Sequence, residues 1–167
     1  MASKLGDEIG KKGPFASLEE EVMLSLLRTA DRLIRTTENA LRPSGLTPTQ
    51  YNVLRILRGM APQGLACQEI ARRMITRDAD LTRLLDRLEK RGLINRQRQT
   101  DDRRVVLITV TSAGSALLAE LDDMVNELNK RLLGHLEAQK LNQLLDLMDQ
   151  VRESIENMTA KGQMETL

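Results

Sequence analysis

The chain has 167 residues, 41% of them hydrophobic but only 1% aromatic, and 25 basic against 24 acidic side chains leave a net charge of +1. That length suits one domain with helical extensions, and the near-neutral average excludes a uniformly basic protein while leaving room for a local basic patch. Phe15 and Tyr51 are the whole aromatic inventory, so the core must be aliphatic, which suits helices. No run approaches the ~18 apolar residues of a membrane span.

Residues 1–14 are polar, carry no apolar run of the kind a secretory signal needs, and read as a flexible tail. A long amphipathic helix follows over 17–42. Ser17 can cap it, Glu19, Glu20 and Glu21 suit its first turn, and Leu18, Val22, Leu26, Ala30, Leu33, Thr37 and Leu41 recur at three- and four-residue steps. Pro43 and Gly45 end it. "LTPTQYNVLRILRGM" begins a second helix, with Thr47 as N-cap and Pro48 at the first helical position, where its missing N–H is harmless. "CQEIARRM" is a short helix. A turn near Ile75 and Thr76 leads into another, from Arg77 to Arg91, which puts Leu81, Leu84, Leu85 and Leu88 on one face and stops at Gly92.

After Gly92 the period changes. "LINRQRQ" and "RVVLITV" read as two strands joined by polar "QTDDR", a hairpin with a charged tip. Thr111 or Ser112 caps a long helix to about residue 133, Gly134 breaks it, and a last helix carries Leu141, Leu144, Leu145, Met148, Val151 and Ile155. The expected fold is therefore mainly α with a small β-hairpin wing: a winged helix-turn-helix over 46–111 between long helices over 15–45 and 112–160, all in one domain of residues 15–160 with a tail at 161–167. The outer helices hold more apolar surface than one lobe can cover. The surplus is expected to pair with a second copy, and a twofold homodimer is the commonest way to do so.

Charge is unevenly spread. Residues 72–104 hold eleven arginines and lysines against six acids, so this segment is +5 and the remainder −4. Arg77, Asp78, Asp80, Thr82 and Arg83 lie at the start of the second helix of the helix-turn-helix, the end that meets base edges when such a helix enters the major groove. Arginine can fork onto guanine, threonine can touch a thymine methyl, and aspartate can accept from cytosine; Asp78 or Asp80 can instead cap the helix or orient an arginine. Arg96, Arg98, Arg103 and Arg104 ride on the hairpin, where a positive wing can track phosphates or enter the narrow minor groove. Asp102 can hold the Arg104 guanidinium or accept backbone N–H bonds in the turn. The expected partner is double-stranded DNA. Single-stranded RNA sites want stacking aromatics that this chain lacks. No phosphate-binding glycine loop, metalloprotease motif or nucleophile triad is present, so an enzyme is not expected. The rival reading is a winged-helix dimer that serves as a protein-interaction scaffold without specific DNA binding.

From Leu46 to Gly114 the chain resembles the MarR family of bacterial transcription regulators, through "LTPTQYNVLRIL", "LTRLLDRLEKRGLI" and "DDRRVVLITVTSAG". The last is the most specific: Asp102, Arg104, Thr111 and Gly114 match the family's Asp-x-Arg and Thr-x-x-Gly wing pattern. With the flanking helices the likeness covers about residues 15–158. It implies an obligate homodimer on a pseudo-palindromic operator, a repressing role, Arg104 as the minor-groove arginine and Asp102 as its support. It also implies release by a small anionic or phenolic ligand, or an oxidant, from a pocket where the long helices meet the DNA-binding lobe. Tyr51, Arg28, Arg32 and Arg35 would line that pocket, although core packing and solvated charge are their plainer roles.

Cys67 is the only cysteine, so no disulfide can form within the chain, which fits a reducing, cytoplasmic setting. Free cysteines are among the most buried residues, and Cys67 is expected to pack as a small hydrophobe rather than to sense oxidants. His135, the only histidine, is expected in an exposed loop. One Cys and one His in distant segments make no zinc site, and no cofactor is expected.

Overall fold

A computed structural model describes residues 4–76, 80–98 and 105–160. In chain order the elements are α1 (Lys4–Ile9), α2 (Leu18–Leu41), a 3-10 turn (Arg42–Ser44), α3 (Pro48–Gly59), β1 (Leu65–Ala66), α4 (Cys67–Arg73), α5 (Leu81–Lys90), β2 (Ile94–Arg98), β3 (Val106–Val110), α6 (Ser112–Leu133) and α7 (Ala138–Ala160). The fold is mainly helical with one small antiparallel sheet, as expected. Contacts divide the chain into two compact units, Met1–Glu120 and Leu121–Leu167.

In the first unit, local chemistry sets most boundaries. The Ser17 hydroxyl oxygen accepts the Glu20 N–H at 3.1 Å, and the Glu20 carboxylate accepts the Ala16 N–H at 2.6 Å, so two donors at the start of α2 are satisfied. A complete capping box opens α3: Thr47 Oγ1 accepts the Gln50 N–H at 3.2 Å and Gln50 Oε1 accepts the Thr47 N–H at 3.1 Å. Those bonds let Gln50 be buried without an orphaned amide oxygen. The core is aliphatic, as the composition requires. Leu41 of α2, Val53, Leu54 and Leu57 of α3, Ile70 of α4, Leu85 and Leu88 of α5, Ile94, Ile108 and Leu118 are almost wholly buried, with Tyr51 beside them.

The sheet has the order β1-β3-β2. The hairpin pairs Ile94 with Val110 through to Arg98 with Val106, and β1 pairs Leu65 with Ile108 on the other edge of β3. The hairpin joins α6 through the Thr-x-x-Gly pattern. Thr111 Oγ1 donates to the Gly92 carbonyl at 2.7 Å and accepts the Gly114 N–H at 3.0 Å, which makes Thr111 the cap. At Gly114 a side chain is sterically forbidden, because a Cβ there would overlap the Leu93 carbonyl oxygen. Gly92 has φ 70°, the left-handed conformation that ends α5.

Four expectations need revision. Residues 4–9, read as part of a flexible tail, form α1. It is held by an ion pair from Glu8 to Arg32 of α2 at 2.7 Å, a partner remote in sequence that local pattern does not reveal. The helix read from Arg77 begins at Leu81, with Asp80 as its N-cap; residues 77–79 lie outside the described set. Strand β1 was not anticipated. Cys67 is exposed rather than packed: it is the first residue of α4, and Ile70 supplies that helix's fully buried side chain. His135 is exposed in the turn between α6 and α7, as expected.

The second unit holds the rest of α6 and α7. Val125 is buried, whereas α7 has no buried residue, and Leu144, Leu145, Leu147, Val151 and Ile155 are exposed in the single chain. Helix α2 of the first unit likewise exposes Leu18, Val22, Met23, Leu26, Leu27, Leu33 and Ile34. Among the described residues no helix is long and apolar enough to cross a membrane.

Candidate nucleic-acid interface

Helix α5 is sharply two-sided. Leu81, Leu84, Leu85 and Leu88 are buried, while Thr82, Arg83, Arg87 and Lys90 are exposed on the opposite side. Just past α4 the chain is tied to α3, where the Asn52 side-chain oxygen accepts the Ile75 N–H at 3.1 Å. Asp80 has two roles at the start of α5. One carboxylate oxygen accepts the Arg83 N–H at 3.3 Å as the cap, and the other lies 3.1 Å from Arg83 Nε. The cap therefore also aims the guanidinium of Arg83, whose side chain is 77% exposed. Asp80 thus caps α5 and lies against the Arg83 guanidinium, the placement expected of a capping or orienting aspartate.

On the hairpin the arginines divide. Arg98 is exposed at the end of β2. Arg96 is not free: its Nη1 lies 2.6 Å from Asp86 and 3.2 Å from Glu89, and its Nη2 donates to the Thr82 carbonyl at 3.4 Å. All three partners belong to α5, and the Arg96 side chain is only 26% exposed. The +5 charge of the segment is thus partly spent within the fold. Arg72 and Arg73 similarly pair with Glu69 at 2.8 and 3.8 Å. Arg77, Asp78, Asp102, Arg103 and Arg104 lie outside the described residues. Arg87 and Lys90, counted in the basic segment but not among the expected DNA contacts, extend the exposed polar side of α5. The signal that finds them is their spacing from Arg83 along the polar side of α5.

Of the residues expected around a ligand, Arg28 and Arg32 share one hollow, and Tyr51 is not among its lining residues. Tyr51 is buried, with the Arg55 guanidinium 5.8 Å from its ring centroid. Arg28 and Arg32 line a shallow hollow of about 280 Å³ between α2 and α1, together with Lys4, Leu5 and Glu8. A different cavity of about 330 Å³ lies between α2, the start of α3 and α5, lined by Ile34, Glu38, Thr47, Thr49, Arg83 and Arg87 among others. It mixes both signs of charge with an apolar wall, so it can hold a small polar or anionic molecule against the base of α5. Among the described residues no group of three or more His, Cys, Asp and Glu is placed to hold a metal ion.

A model of the MarR family matches residues 46–106. A MarR transcription factor from Planctomyces limnophilus is 43% identical over 81% of this chain and 98% of its own, with a TM-score of 0.63. CouR from Rhodococcus jostii RHA1, solved with p-coumaroyl-CoA bound, is 26% identical over 82% of this chain and 95% of its own, with a TM-score of 0.69. MepR from S. aureus, solved as a complex with DNA, is 23% identical over 78% of this chain and 96% of its own; its TM-score of 0.71 marks a common fold.

Proposed function

The chain belongs to the MarR family of transcription regulators, a family of regulators and not of enzymes, and we propose that it represses by binding a pseudo-palindromic operator in double-stranded DNA as a homodimer. The observation that carries the reading is the pairing of two exposed basic elements on one lobe: the polar side of α5, led by a capped Arg83 held against Asp80, and strand β2 of the hairpin, which ends in exposed Arg98. A helix of this kind fits the major groove with its N-terminal residues at base edges, and the hairpin reaches the adjoining backbone or minor groove.

In this reading Thr82 and Arg83 read or border bases, and Asp80 holds Arg83 in its working direction. Arg98 contacts the backbone. Arg77, Asp78, Arg103 and Arg104 belong to the same surface by the family likeness, with Asp102 supporting Arg104. Residues 46–111 form the DNA-binding lobe, and 15–45 and 112–160 supply the dimer contacts. The uncovered apolar side chains of α2 and α7 support that division, since burying each large aliphatic side chain is worth about 1.5–3 kcal/mol. The regulator acts in the cytoplasm.

A small anionic or phenolic effector releases the dimer. The cavity between α2 and α5 is a candidate for its site beside the expected Tyr51, Arg28, Arg32 and Arg35: it joins a dimer helix to the reading helix, and its volume lies within the range of small-molecule sites. That CouR binds an acyl-thioester ligand on a related chain supports effector control without naming this protein's ligand.

The test is selection of bound duplexes from a random pool by the full chain, repeated with phenolic acids present. A palindromic consensus with half-sites about one helical turn apart, bound with steep salt dependence, is expected. Failure to retain any duplex at low salt would overturn the reading.

A further inference from the structure

The arginine at position 96 lies in a segment whose other exposed cations suit a polyanion, yet it is turned inward. Side chains two residues apart share one face of a strand. Arg96 therefore follows Ile94, which is 1% exposed, onto the side of β2 that packs toward α5. There it spans two turns of α5, meeting the Thr82 carbonyl, Asp86 and Glu89 in succession. Asp86 and Glu89 stand at i and i+3, one helical step apart, so a single planar guanidinium can serve both.

We propose that Arg96 is a positioning residue, which locks the hairpin to the DNA-reading helix at a set angle, and that it makes no contact with DNA; this rests on the DNA-binding reading above. Two arguments carry it. The first is charge. Swinging Arg96 out to a phosphate would leave two half-buried carboxylates uncompensated on a helix that faces a polyanion, and each would then repel the duplex. The second is order. Any motion of the hairpin relative to α5 that has to be frozen at the moment of binding subtracts from affinity. A lock made beforehand removes the cost, and it does so only for sites whose two grooves match the set angle. Arg96 therefore acts on discrimination between sequences more than on attraction to DNA in general.

This assignment separates Arg96 from its neighbours by experiment. In Arg96→Ala, operator affinity is expected to fall at least tenfold and the ratio of operator to random-duplex affinity to fall with it, since the unpaired carboxylates of Asp86 and Glu89 weaken both kinds of binding alike. The slope of log affinity against log salt is expected to stay unchanged, because no counterion-releasing contact is lost. In Arg98→Ala the slope is expected to flatten by about one unit per subunit. Asp86→Asn with Glu89→Gln is the sharper variant. Removing two negative charges near DNA would by electrostatics alone tighten binding, whereas a broken lock lowers the ratio of operator to random affinity. Arg96→Lys, which keeps charge but loses the fork, is expected to recover part of that ratio. Hydrogen exchange on the DNA-free protein reads the lock directly, with faster exchange in residues 94–98 of the Arg96→Ala protein and of the double variant. Unchanged exchange, a flattened salt slope in Arg96→Ala, or tighter operator binding by the double variant would overturn the proposal. Failure of the wild-type chain to bind DNA would sink the regulator reading instead and leave the exchange result to decide the lock.

Discussion

Arg91 and Gly45 are joined across 46 positions of sequence: the Arg91 Nη1 donates to the Gly45 carbonyl at 2.7 Å, while its Nη2 donates to the Ser44 carbonyl at 3.0 Å. Arg91 is the C-cap of α5, and Ser44 and Gly45 form the elbow between α2 and α3. One side chain thus fastens the end of α5, the proposed reading helix, to the foot of a proposed dimer helix. Charge-assisted bonds to carbonyls are worth about 1.5–3 kcal/mol when sheltered, and the exposed setting lowers that. Arg91→Ala is expected to lose about 1–2 kcal/mol of stability in urea unfolding, and Arg91→Lys about half as much, since an ammonium cannot present the same planar fork.

Gly114 gives a steeper expectation. A Cβ there would overlap a main-chain oxygen, which cannot swing aside as the end of a flexible side chain could. Gly114→Ala is expected to cost about 2–3 kcal/mol. Gly92→Ala meets no neighbouring atom and pays only for its left-handed backbone, about 1–2 kcal/mol. Thermal melts of the two variants side by side check the order; a milder loss at Gly114 would show that the junction with Leu93 can relax.

Leu27 on α2 is 60% exposed in the single chain, so a charge there is tolerated by the lobe itself. If α2 belongs to the dimer contact, Leu27→Glu gives a folded monomer by light scattering and abolishes operator binding at concentrations where the parent binds. A dimer that survives the substitution would place the contact elsewhere.

For the hairpin tip, Arg104→Ala is expected to weaken duplex binding, leave the dimer intact and flatten the salt slope by up to about one unit per subunit. Retention of full affinity would remove the tip from the DNA-binding surface.

The carboxyl of Glu19 is held below its ordinary value of 4.5, first by a backbone N–H and then by the Ser17 hydroxyl. A depressed carboxylate contributes stability that is present above its unfolded value and lost as pH falls through its folded one. Ser17→Ala is expected to move the Glu19 midpoint upward toward the ordinary value, as read by NMR titration, and to shrink the pH dependence of fraying at the start of α2.

The features legible in sequence are those whose cause is local. Ser17, Thr47 with Pro48, and Gly92 mark helix ends by chemistry completed within four residues, and each stands where it was expected. The pattern from Thr111 to Gly114 was legible as a signature, but its reason, a carbonyl oxygen pressed against the missing Cβ, was not. Strand β1 has only two residues and exists through its pairing with β3, so no run or alternation announces it. Arg96 shows the same limit at the site. Its residue type suggested a DNA contact, and its partners seven and ten positions earlier become visible only once β2 is laid against α5. Cys67 went the other way, toward solvent, because residue averages do not see which position of a short helix reaches the core.

The order of the small sheet also bears on how the molecule keeps to itself. A central strand bordered on one side by a two-residue stub and on the other by β2 offers little template for a stranger's backbone. The exposed residues of β2, Asn95 and Gln97 on one face and Arg98 on the other, are all polar, and a charged margin discourages edge-to-edge recruitment. The large exposed apolar side chains of the described residues lie on the helices and at Ile75, so the strands of the hairpin carry none of that stickiness.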